Sequence, residues 1–318
     1  MEMVIAAVSN AGNAGDVRIF ELRAADGSML PAYEAGAHVD VHLPGDIVRQ
    51  YSLCCSAPSR SAWRIAVKRD AQSRGGSAWL HEAAALGTRL QVGAPRNVFA
   101  LAQGADMYLL YGGGIGITPI LSMAYALLAR GAAFKLLYFV RDESGMAFGD
   151  ELITGPLAPH AEIHACLSGE AVASRIAASM NLARAAGTQV YVCGPARFMD
   201  LVREQGASRF GHAAVHQESF GAAATATGGD TSFVLRLARS QREVEVPASA
   251  SALACLQAAG VEVDCSCEVG VCGTCRTIVL EGQPDHRDSV LDAAEKLSNT
   301  VFMPCVSRAN TSVLVLDL

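Results

Sequence analysis

The sequence predicts a multidomain protein in which three folds follow one another: an antiparallel β-barrel or sandwich, an α/β domain with a parallel sheet, and a small α+β domain. Residues 1–102 contain short stretches of alternating apolar and polar residues, such as HVDVHL (38–43), separated by turn signals. Residues 103–222 alternate long apolar runs with helical segments, which is typical of βαβ units. In residues 232–318, short strands precede an alanine-rich helix and a group of cysteines.

Composition and charge limit the class of protein. The 318 residues are enough for two or three domains, and a net charge of −6 without any basic run argues against nucleic acid as a partner. The first residues, MEMVIAAVSN, do not resemble an export signal, so we expect a cytoplasmic protein. Five of the ten cysteines lie between Cys255 and Cys275. In a cytoplasmic protein such clustering indicates metal binding more than disulfide formation.

One apolar segment is long enough to cross a membrane, because residues 107–129 contain no charged side chain. However, YGGGIGITP (111–119) lies in its middle, and its four glycines and one proline would leave backbone groups unsatisfied in lipid. A buried strand, a glycine turn and a helix explain the segment better, so no membrane association is expected.

The first domain contains a candidate strand for binding a ring and a phosphate, RQYSLC (49–54). On a strand, Arg49 and Tyr51 face one side, whereas Gln50 and Ser52 face the other. An arginine can neutralise a phosphate, and a tyrosine can lie against a flat ring. The motif alone is weak, because these residue types are common on exposed strands.

Two later segments extend this candidate site, AVKRD (66–70) and RGGSAWLH (74–81). Gly75, Gly76 and Ser77 open a predicted helix, whose free N–H groups would attract a phosphate. The alternative is an ordinary helix cap by Ser77. The remaining candidates here are Val67, Lys68 and Arg69.

The second domain contains three candidate turns after predicted strands, where ligands of open α/β sheets bind. The first turn, in YGGGIGITP, lacks the dinucleotide fingerprint because Ile117 occupies the third glycine position. In the second, FVRDESGMAF (139–148), Arg141 and Asp142 are candidate contacts of an adenosine ribose. The third is YVCGPARFMD (191–200), in which a buried structural cysteine is the alternative to a functional one. The candidates in the first and third turns are Gly113, Gly114, Thr118, Cys193, Gly194 and Pro195.

Four cysteines in the last domain have a diagnostic spacing. Cys267, Cys272 and Cys275 form C-x4-C-x2-C, and Cys305 follows after twenty-nine residues. This is the spacing of plant-type [2Fe–2S] ligands, which must surround a small, compact cluster. Residues 223–231, small apart from one charge, are predicted to form the linker before this domain.

Structural zinc is the alternative for four cysteines. Zinc sites usually use two close cysteine pairs, whereas Cys305 stands alone in its half of the set. The spacing therefore favours the iron–sulfur cluster, and Gly270 and Gly273 would let the backbone approach it. Cys265 lies outside the spacing and Cys255 lies on the preceding helix, so neither is expected to be a ligand.

The segment CEVGVCGTCRTIVLEGQPDHRDSVLDAAEK, followed by FMPCVSRA, resembles the C-terminal ferredoxin domain of the phthalate dioxygenase reductase family, which includes vanillate O-demethylase reductases. The resemblance covers the whole chain. RQYSLC resembles the R-x-Y-S flavin motif of ferredoxin-reductase-like barrels, and YGGGIGITP resembles the G-G-x-G-I-T-P segment of their NAD domains. The resemblance implies an FMN-binding β-barrel in residues 1–102, an NAD-binding α/β domain in 103–222 and a β-grasp ferredoxin domain in 232–318.

The resemblance also implies roles for flavin-binding residues. Arg49 holds the flavin phosphate, Tyr51 packs on the isoalloxazine ring, and Ser52 approaches flavin N5. The loop that begins at Gly75 carries the phosphate of FMN, although the residues themselves do not distinguish FMN from FAD. Phe220, in HQESF, covers the flavin face that the nicotinamide must reach.

For the nicotinamide, the resemblance places Thr118 where nicotinamide and flavin meet and Cys193 near the nicotinamide ring. Ser52, Thr118 and Cys193 are therefore the candidates for shaping hydride transfer. NADH is the expected donor, although Arg141 leaves NADPH open on chemistry alone. Glu218 is either an acid behind the site or a surface charge, and no role is assigned to it.

The parts have complementary chemistry. NADH delivers two electrons as a hydride, a [2Fe–2S] cluster accepts one, and a flavin can do both. Plant-type clusters have reduction potentials of about −400 mV, and Rieske centres have potentials between roughly −150 and +300 mV. Electrons would therefore flow from this protein to a Rieske centre. The resemblance implies a monomer that meets, transiently, a Rieske-type oxygenase or O-demethylase acting on an aromatic compound. The alternatives are a stand-alone NADH reductase with soluble acceptors and a nucleotide-sensing scaffold with structural zinc.

Overall fold

The computed structural model describes residues 1–12, 15–45, 47–55, 60–70, 75–184, 186–220, 230–265, 270, 273–288 and 290–318. The chain divides into two compact units, Met1–Ser219 and Phe220–Leu318. Of the predicted linker, only Asp230 and Thr231 are among the described residues. The predicted boundary between residues 102 and 103 falls inside the first unit and stays a prediction.

The first half of the first unit is an antiparallel barrel. Its sheet has the strand order β4-β3-β6-β1-β2-β5. A bridge between Leu53 and Ile65 joins the two edge strands, so the sheet closes on itself. Alternate side chains fill the interior, as Val39 and Val41 do, whereas Asp40 between them does not. The elements are β1 (Glu2–Asn10), β2 (Val17–Ala24), β3 (His38–Leu43), β4 (Ile47–Ser52), β5 (Trp63–Lys68), α1 (Gly76–Glu82) and β6 (Arg89–Val92).

The second half of the first unit, called the α/β half below, has a five-stranded sheet in which all neighbours are parallel, in the order β11-β10-β7-β8-β9. Helix α2 covers one face of this sheet, and α4 and α5 cover the other, so the strands are apolar on both sides. The elements are β7 (Met107–Gly113), α2 (Ile117–Ala129), β8 (Phe134–Val140), α3 (Gly149–Ile153), β9 (Ala161–Ala165), α4 (Gly169–Leu182), β10 (Thr188–Cys193), α5 (Ala196–Phe210) and β11 (Val215–Glu218). Short 3-10 turns occupy Gly114–Gly116, Glu143–Gly145, Ala158–His160 and His212–Ala214.

The apolar segment 107–129 forms β7, a glycine turn and α2, as the sequence predicts. Within the described ranges, no helix is both long and apolar enough to cross a membrane. The segment is apolar because a parallel strand and its helix are buried in the same core. That core also includes Val17 and Ala66 of the barrel, so both halves share apolar packing.

The second unit is built on a mixed five-stranded sheet in the order β13-β12-β18-β14-β16. The first and last strands, β12 and β18, are parallel neighbours at its centre, and the other pairs are antiparallel. Helix α6 packs its apolar side on this sheet, giving the predicted β-grasp arrangement. The elements are β12 (Phe233–Leu237), β13 (Arg242–Val246), α6 (Ala252–Ala258), β14 (Thr277–Glu281), β15 (Pro284–Asp285), α7 (Ala293–Ser298), β16 (Val301–Phe302), β17 (Arg308–Ala309) and β18 (Val313–Leu316).

The described end of the predicted linker belongs to this second unit. The buried Asp230 carboxylate accepts two hydrogen bonds from Arg287, at 2.6 and 3.2 Å. Arg308 donates to the carbonyl oxygen of Thr231 at 3.2 Å. These contacts assign Asp230 and Thr231 to the second unit. The predicted fold class is confirmed for all three folds.

Candidate functional site

The predicted phosphate-binding residues of the barrel lie together. Arg49 crosses the start of α1 so closely that a Cβ added at Gly76 would lie 2.6 Å from Arg49 Cγ. Gly75, the N-cap residue of α1, has a φ of 95°, which favours glycine. A guanidinium beside backbone N–H groups is suited to a phosphate, so these residues fit a flavin phosphate. Ser77 does not cap the helix, and its hydroxyl accepts from the Asp70 N–H at 3.2 Å.

The side chains of the other candidates in the barrel have partners or are buried. Gln50 donates to Asp40 Oδ1 at 3.1 Å. The Val67 side chain lies in the barrel core, and the Val67 carbonyl oxygen lies 2.9 Å from His81 Nε2. Lys68 and Arg69 pair with acidic neighbours. Burial raises the pKa of Tyr51, which is neutral and therefore suited to packing against a ring.

The first and third turns of the α/β half pack backbone against backbone. A Cβ at Gly194 would lie 2.9 Å from Gly113 Cα, and a Cβ at Gly116 would lie 2.3 Å from the carbonyl oxygen of Cys193. Gly114 differs, because nothing lies within 4 Å of its added Cβ position. The glycine turn therefore serves mainly close packing, and it leaves open space at Gly114.

The three predicted hydride-transfer residues lie on neighbouring elements. Cys193 is fully buried at the end of β10, in register with Gly112 of β7 and Glu218 of β11. Thr118 is buried at the start of α2, where its hydroxyl donates to the Ile115 carbonyl oxygen at 3.1 Å. This edge of the sheet is where ligands of α/β folds bind.

Glu218 connects this edge to the barrel. The Ser52 hydroxyl of β4 donates to Glu218 Oε2 at 3.4 Å, and both residues are buried. Burial raises the pKa of Glu218 to about 8, although the Ser52 hydrogen bond opposes the shift. The pKa of Cys193 is raised well above its usual value by burial and then by Glu218. Ser52, Cys193 and Glu218 therefore form one buried polar group in which the acid holds a proton at neutral pH.

Sequence reasoning assigned no role to Glu218, and the structure excludes a surface charge. The sequence analysis predicted no strand at residues 215–218, whereas the structure places Glu218 at the carboxyl end of β11, next to Cys193 in the parallel sheet. Its contact with Ser52 joins residues 166 positions apart, which no local pattern encodes.

Three other predicted residues, Arg141, Asp142 and Phe220, are exposed. Arg141 and Asp142 follow β8, and the Asp142 carboxylate accepts from Ser144 Oγ at 2.5 Å and from the Gly145 N–H at 2.9 Å. These hydrogen bonds lower the pKa of Asp142, so it stays charged. Phe220 is 43% exposed and is the first residue of the second unit.

The cluster cysteines are described in part. Cys275 and Cys305 are buried with their sulfur atoms 3.2 Å apart, too far for a disulfide and close enough for two ligands of one metal atom. They lie in an apolar cluster with Met303 and Val306, which would shield the cluster from solvent. Cys267 and Cys272 lie outside the described residues, and the described part of the chain contains no group of three or more His, Cys, Asp or Glu side chains that could hold a metal ion. Cys265, which is not a predicted ligand, accepts a hydrogen bond from Gln257. The thiols of Cys275 and Cys305 fit a [2Fe–2S] cluster.

The comparisons with known proteins agree with this geometry. Residues 235–310 match the family model described as the 2Fe-2S iron-sulfur cluster binding domain. The chain is 45% identical to vanillate O-demethylase oxidoreductase of Pseudomonas sp. (strain HR199 / DSM 7063), over 96% of both chains. It is 42% identical to phthalate dioxygenase reductase of Burkholderia cepacia, over 96% of this chain and 94% of that one. The chain belongs to the phthalate dioxygenase reductase family.

Solved structures extend the match to the whole fold. A structure of phthalate dioxygenase reductase, described as modular for electron transfer from pyridine nucleotides to [2Fe-2S], superposes with a TM-score of 0.77 at 40% identity. The match covers 100% of this chain and 98% of that one. An intact type IV self-sufficient cytochrome P450 monooxygenase has the same TM-score at 33% identity, and 41% of its chain is covered. The predicted family is confirmed, and this member is an iron–sulfur flavoprotein oxidoreductase.

Proposed function

We propose that the protein is the NADH-dependent reductase component of an oxygenase system, passing electrons through FMN and a [2Fe–2S] cluster to a Rieske-type oxygenase or O-demethylase that acts on an aromatic compound. The observation that carries this is the match of the whole chain, at 40% identity, to a structure described as modular for electron transfer from pyridine nucleotides to [2Fe-2S]. The Ser52–Glu218 hydrogen bond supports it by connecting the two halves of the first unit. It joins the flavin strand of the barrel to the carboxyl edge of the parallel sheet, in a chain that also has a [2Fe–2S] domain. When bound, FMN accepts a hydride and releases single electrons.

The barrel residues, within residues 1–102, hold FMN. Arg49 and the backbone of Gly75 and Gly76 bind the phosphate, and Ser77 supports that loop. Tyr51 packs on the ring, and Ser52 contacts its reactive edge. Gln50 and Val67 contribute main-chain groups, because the Gln50 side chain is hydrogen-bonded to Asp40 and the Val67 side chain is buried. The remaining proposed flavin-binding residues are Lys68, Arg69 and Phe220.

The α/β half, within residues 103–222, holds NADH. Gly114 leaves room for the dinucleotide beside Gly113, and Arg141 and Asp142 contact the adenosine ribose. Thr118 and Cys193 shape the nicotinamide pocket, and the turn of Gly194 and Pro195 forms its floor. The buried, protonated Glu218 keeps a net charge out of this pocket at neutral pH.

In the last domain, residues 232–318, the four thiolates of Cys267, Cys272, Cys275 and Cys305 hold the cluster. The protein acts in the cytoplasm as a monomer and meets its partner transiently, since redox encounters bury little surface. The predicted linker, residues 223–231, lets the last domain exchange between flavin and partner, although Asp230 and Thr231 are fixed to that domain by Arg287 and Arg308. Shortening the linker should slow partner reduction, and unchanged turnover would remove this part of the proposal.

The test of the proposed function is an absorption spectrum of the anaerobically purified protein before and after NADH is added. We expect a flavin band and a broader iron–sulfur absorption, both bleached by NADH. Bleaching of the flavin alone would mean that the cluster is lost or uncoupled. A colourless protein with bound zinc would overturn the proposal.

The partner is tested with a panel of electron acceptors under the same conditions. We expect a Rieske oxygenase to be reduced much faster than cytochrome c, at equal concentration. Equal rates would favour a stand-alone reductase. Preferential reduction of a haem enzyme would overturn the Rieske assignment. A haem enzyme belongs in the panel because the chain is 42% identical to the heme-dependent oxidative N-demethylase beta subunit of Ectopseudomonas mendocina (strain ymp).

A further inference from the structure

A bidentate ion pair joins the barrel to the α/β half of the first unit. Arg64 lies on β5 and Glu151 lies on α3. Arg64 Nη1 donates to Glu151 Oε1 at 2.6 Å, and Nη2 donates to Oε2 at 3.0 Å. The two side chains are only 25% and 26% exposed. A bidentate pair with this burial fixes an orientation, which a single exposed pair does not.

The same carboxylate accepts a hydrogen bond from the Tyr125 hydroxyl of α2. Burial and then the hydrogen bond to Glu151 raise the pKa of Tyr125, so the hydroxyl remains a donor. Tyr125 follows Thr118 by seven residues, which is about two helical turns, so both lie on the same face of α2. The ion pair is therefore connected to the helix that begins at the nicotinamide pocket.

Arg64 also holds the chain that leaves the flavin strand. Its Nη2 donates to the Cys54 carbonyl oxygen at 2.7 Å, and the Cys54 N–H donates to the Arg64 carbonyl oxygen at 2.9 Å. Cys54 follows Ser52 by two residues. The guanidinium lies 5.1 Å from the ring centroid of Phe148, the N-cap residue of α3, which adds a cation–π contact.

We infer that Arg64, Glu151 and Tyr125 form a positioning network for hydride transfer, which fixes the end of the flavin strand against α3 and α2. This inference rests on the proposed function. The apolar core that both halves share holds them together, but apolar contacts are not directional. The network supplies the direction, and it acts through Ser52 and Thr118 without touching a cofactor itself.

The consequence is kinetic, because hydride transfer depends steeply on the placement of the reacting atoms. A displacement of about 1 Å can cost on the order of 100-fold in rate. Weakening the network should therefore lower the rate constant of transfer. It should leave the affinity for NADH nearly unchanged, because the predicted NADH contacts all lie within the α/β half, whereas the network sets the placement of that half against the barrel.

The test uses the flavin-loaded full chain with the variants Glu151→Gln and Tyr125→Phe. The matched control is Arg89→Gln, which removes an exposed ion pair with Glu2, between two strands of the same barrel. Anaerobic stopped-flow gives the limiting rate of flavin bleaching by NADH and by NADH deuterated at C4. We expect the limiting rate to fall about tenfold or more in Glu151→Gln and less in Tyr125→Phe. The apparent Kd for NADH should stay within about twofold, and the control should behave as the original protein does.

A second readout does not depend on turnover. Hydrogen exchange should become faster in the amides of residues 52–54 and 117–125 of Glu151→Gln, in flavin-loaded protein and in apoprotein, and stay unchanged in β1. If Glu151→Gln loses flavin or fails to fold, Tyr125→Phe decides, since it removes one hydroxyl. Suppose that NADH bleaches the original protein and that the variants have the same limiting rate as the original. The inference would then be overturned and the proposed function would stand, even if the variants melt at a lower temperature. Failure of NADH to bleach the original protein would instead overturn the proposed function.

Discussion

At the scale of single residues, burial decides which polar groups carry charge at the candidate site. Glu218 and Cys193 end neighbouring parallel strands, and both are buried. Burial penalises the charged form of each, so the carboxyl keeps its proton near neutral pH and the thiol stays protonated. The Ser52 hydroxyl is within hydrogen-bonding distance of the same carboxyl group. Ser52, Cys193 and Glu218 therefore give the proposed nicotinamide pocket neutral groups.

The protonation of Glu218 predicts a pH-dependent stability. The pKa of Glu218 is about 8 in the folded chain, well above the usual value for glutamate, so its stabilising contribution is complete below about pH 4.5 and is lost as the pH rises through about 8. Glu218→Gln removes this dependence. Between about pH 5 and 8 the unfolding free energy of the original protein should fall by a few kcal/mol relative to the variant.

Urea unfolding of both proteins at several pH values measures this difference. Above about pH 9 the difference should be constant, because Glu218 is then ionised in both the folded and the unfolded chain. Parallel stability profiles from pH 5 to 9 would contradict the pKa.

The cluster cysteines give a second prediction at this scale. Cys275→Ser should lose the iron–sulfur absorption and bound iron, because a [2Fe–2S] cluster needs four thiolate ligands. Cys265→Ser is the matched control, since Cys265 lies outside the ligand spacing and accepts a hydrogen bond from Gln257. Iron analysis and visible spectra of both variants measure the outcome. Loss of iron in Cys265→Ser with retention in Cys275→Ser would reverse the ligand assignment.

At the scale of elements, the turn between β7 and α2 is shaped by packing against the end of β10. Gly116 of this turn has no room for a side chain, because an added Cβ would lie 2.3 Å from the backbone oxygen of Cys193. The turn sequence YGGGIGITP is therefore glycine-rich for two reasons, close backbone packing at Gly116 and a positive φ of 54° at Gly114.

Gly116→Ala should destabilise the protein by about 1–3 kcal/mol, because the backbone of one strand end must move. The matched control is Gly169→Ala at the first residue of α4, where an added Cβ meets nothing within 4 Å. That change should be neutral or stabilise by up to about 1 kcal/mol, since alanine favours a helix. Urea denaturation measures both. A control as destabilised as Gly116→Ala would show that packing against Cys193 is not the cause.

At the scale of the whole molecule, the chain comprises two units with separate apolar cores. The first unit contains the barrel and the α/β half, which share one core, and the second contains its own sheet and the buried Cys275 and Cys305. The proposed flavin and nicotinamide residues, apart from Phe220, all lie in the first unit. Reduction by NADH and delivery to a partner are thus assigned to different units.

Residues 1–220 expressed alone should fold, bind flavin and be bleached by NADH at a rate close to that of the full chain, because the first unit has its own core. The fragment should not reduce the oxygenase partner, because it lacks the cluster. Anaerobic spectra and partner reduction by fragment and full chain measure this. Partner reduction by the fragment at the full rate would place the exit of electrons on the flavin instead.

The sequence alone determined the fold class and predicted the cluster ligands, because both depend on patterns of residue spacing along the chain. Side-chain alternation defines strands such as HVDVHL, and four cysteines can surround one cluster only when loop lengths permit. Tertiary structure decided which groups meet and which are buried. Ser52 and Glu218 are 166 positions apart, and Arg64 and Glu151 are 87 apart. Their contacts, and the raised pKa of Glu218, exist only because the folded barrel packs on the α/β half, which buries Ser52 and Glu218 and partly buries Arg64 and Glu151.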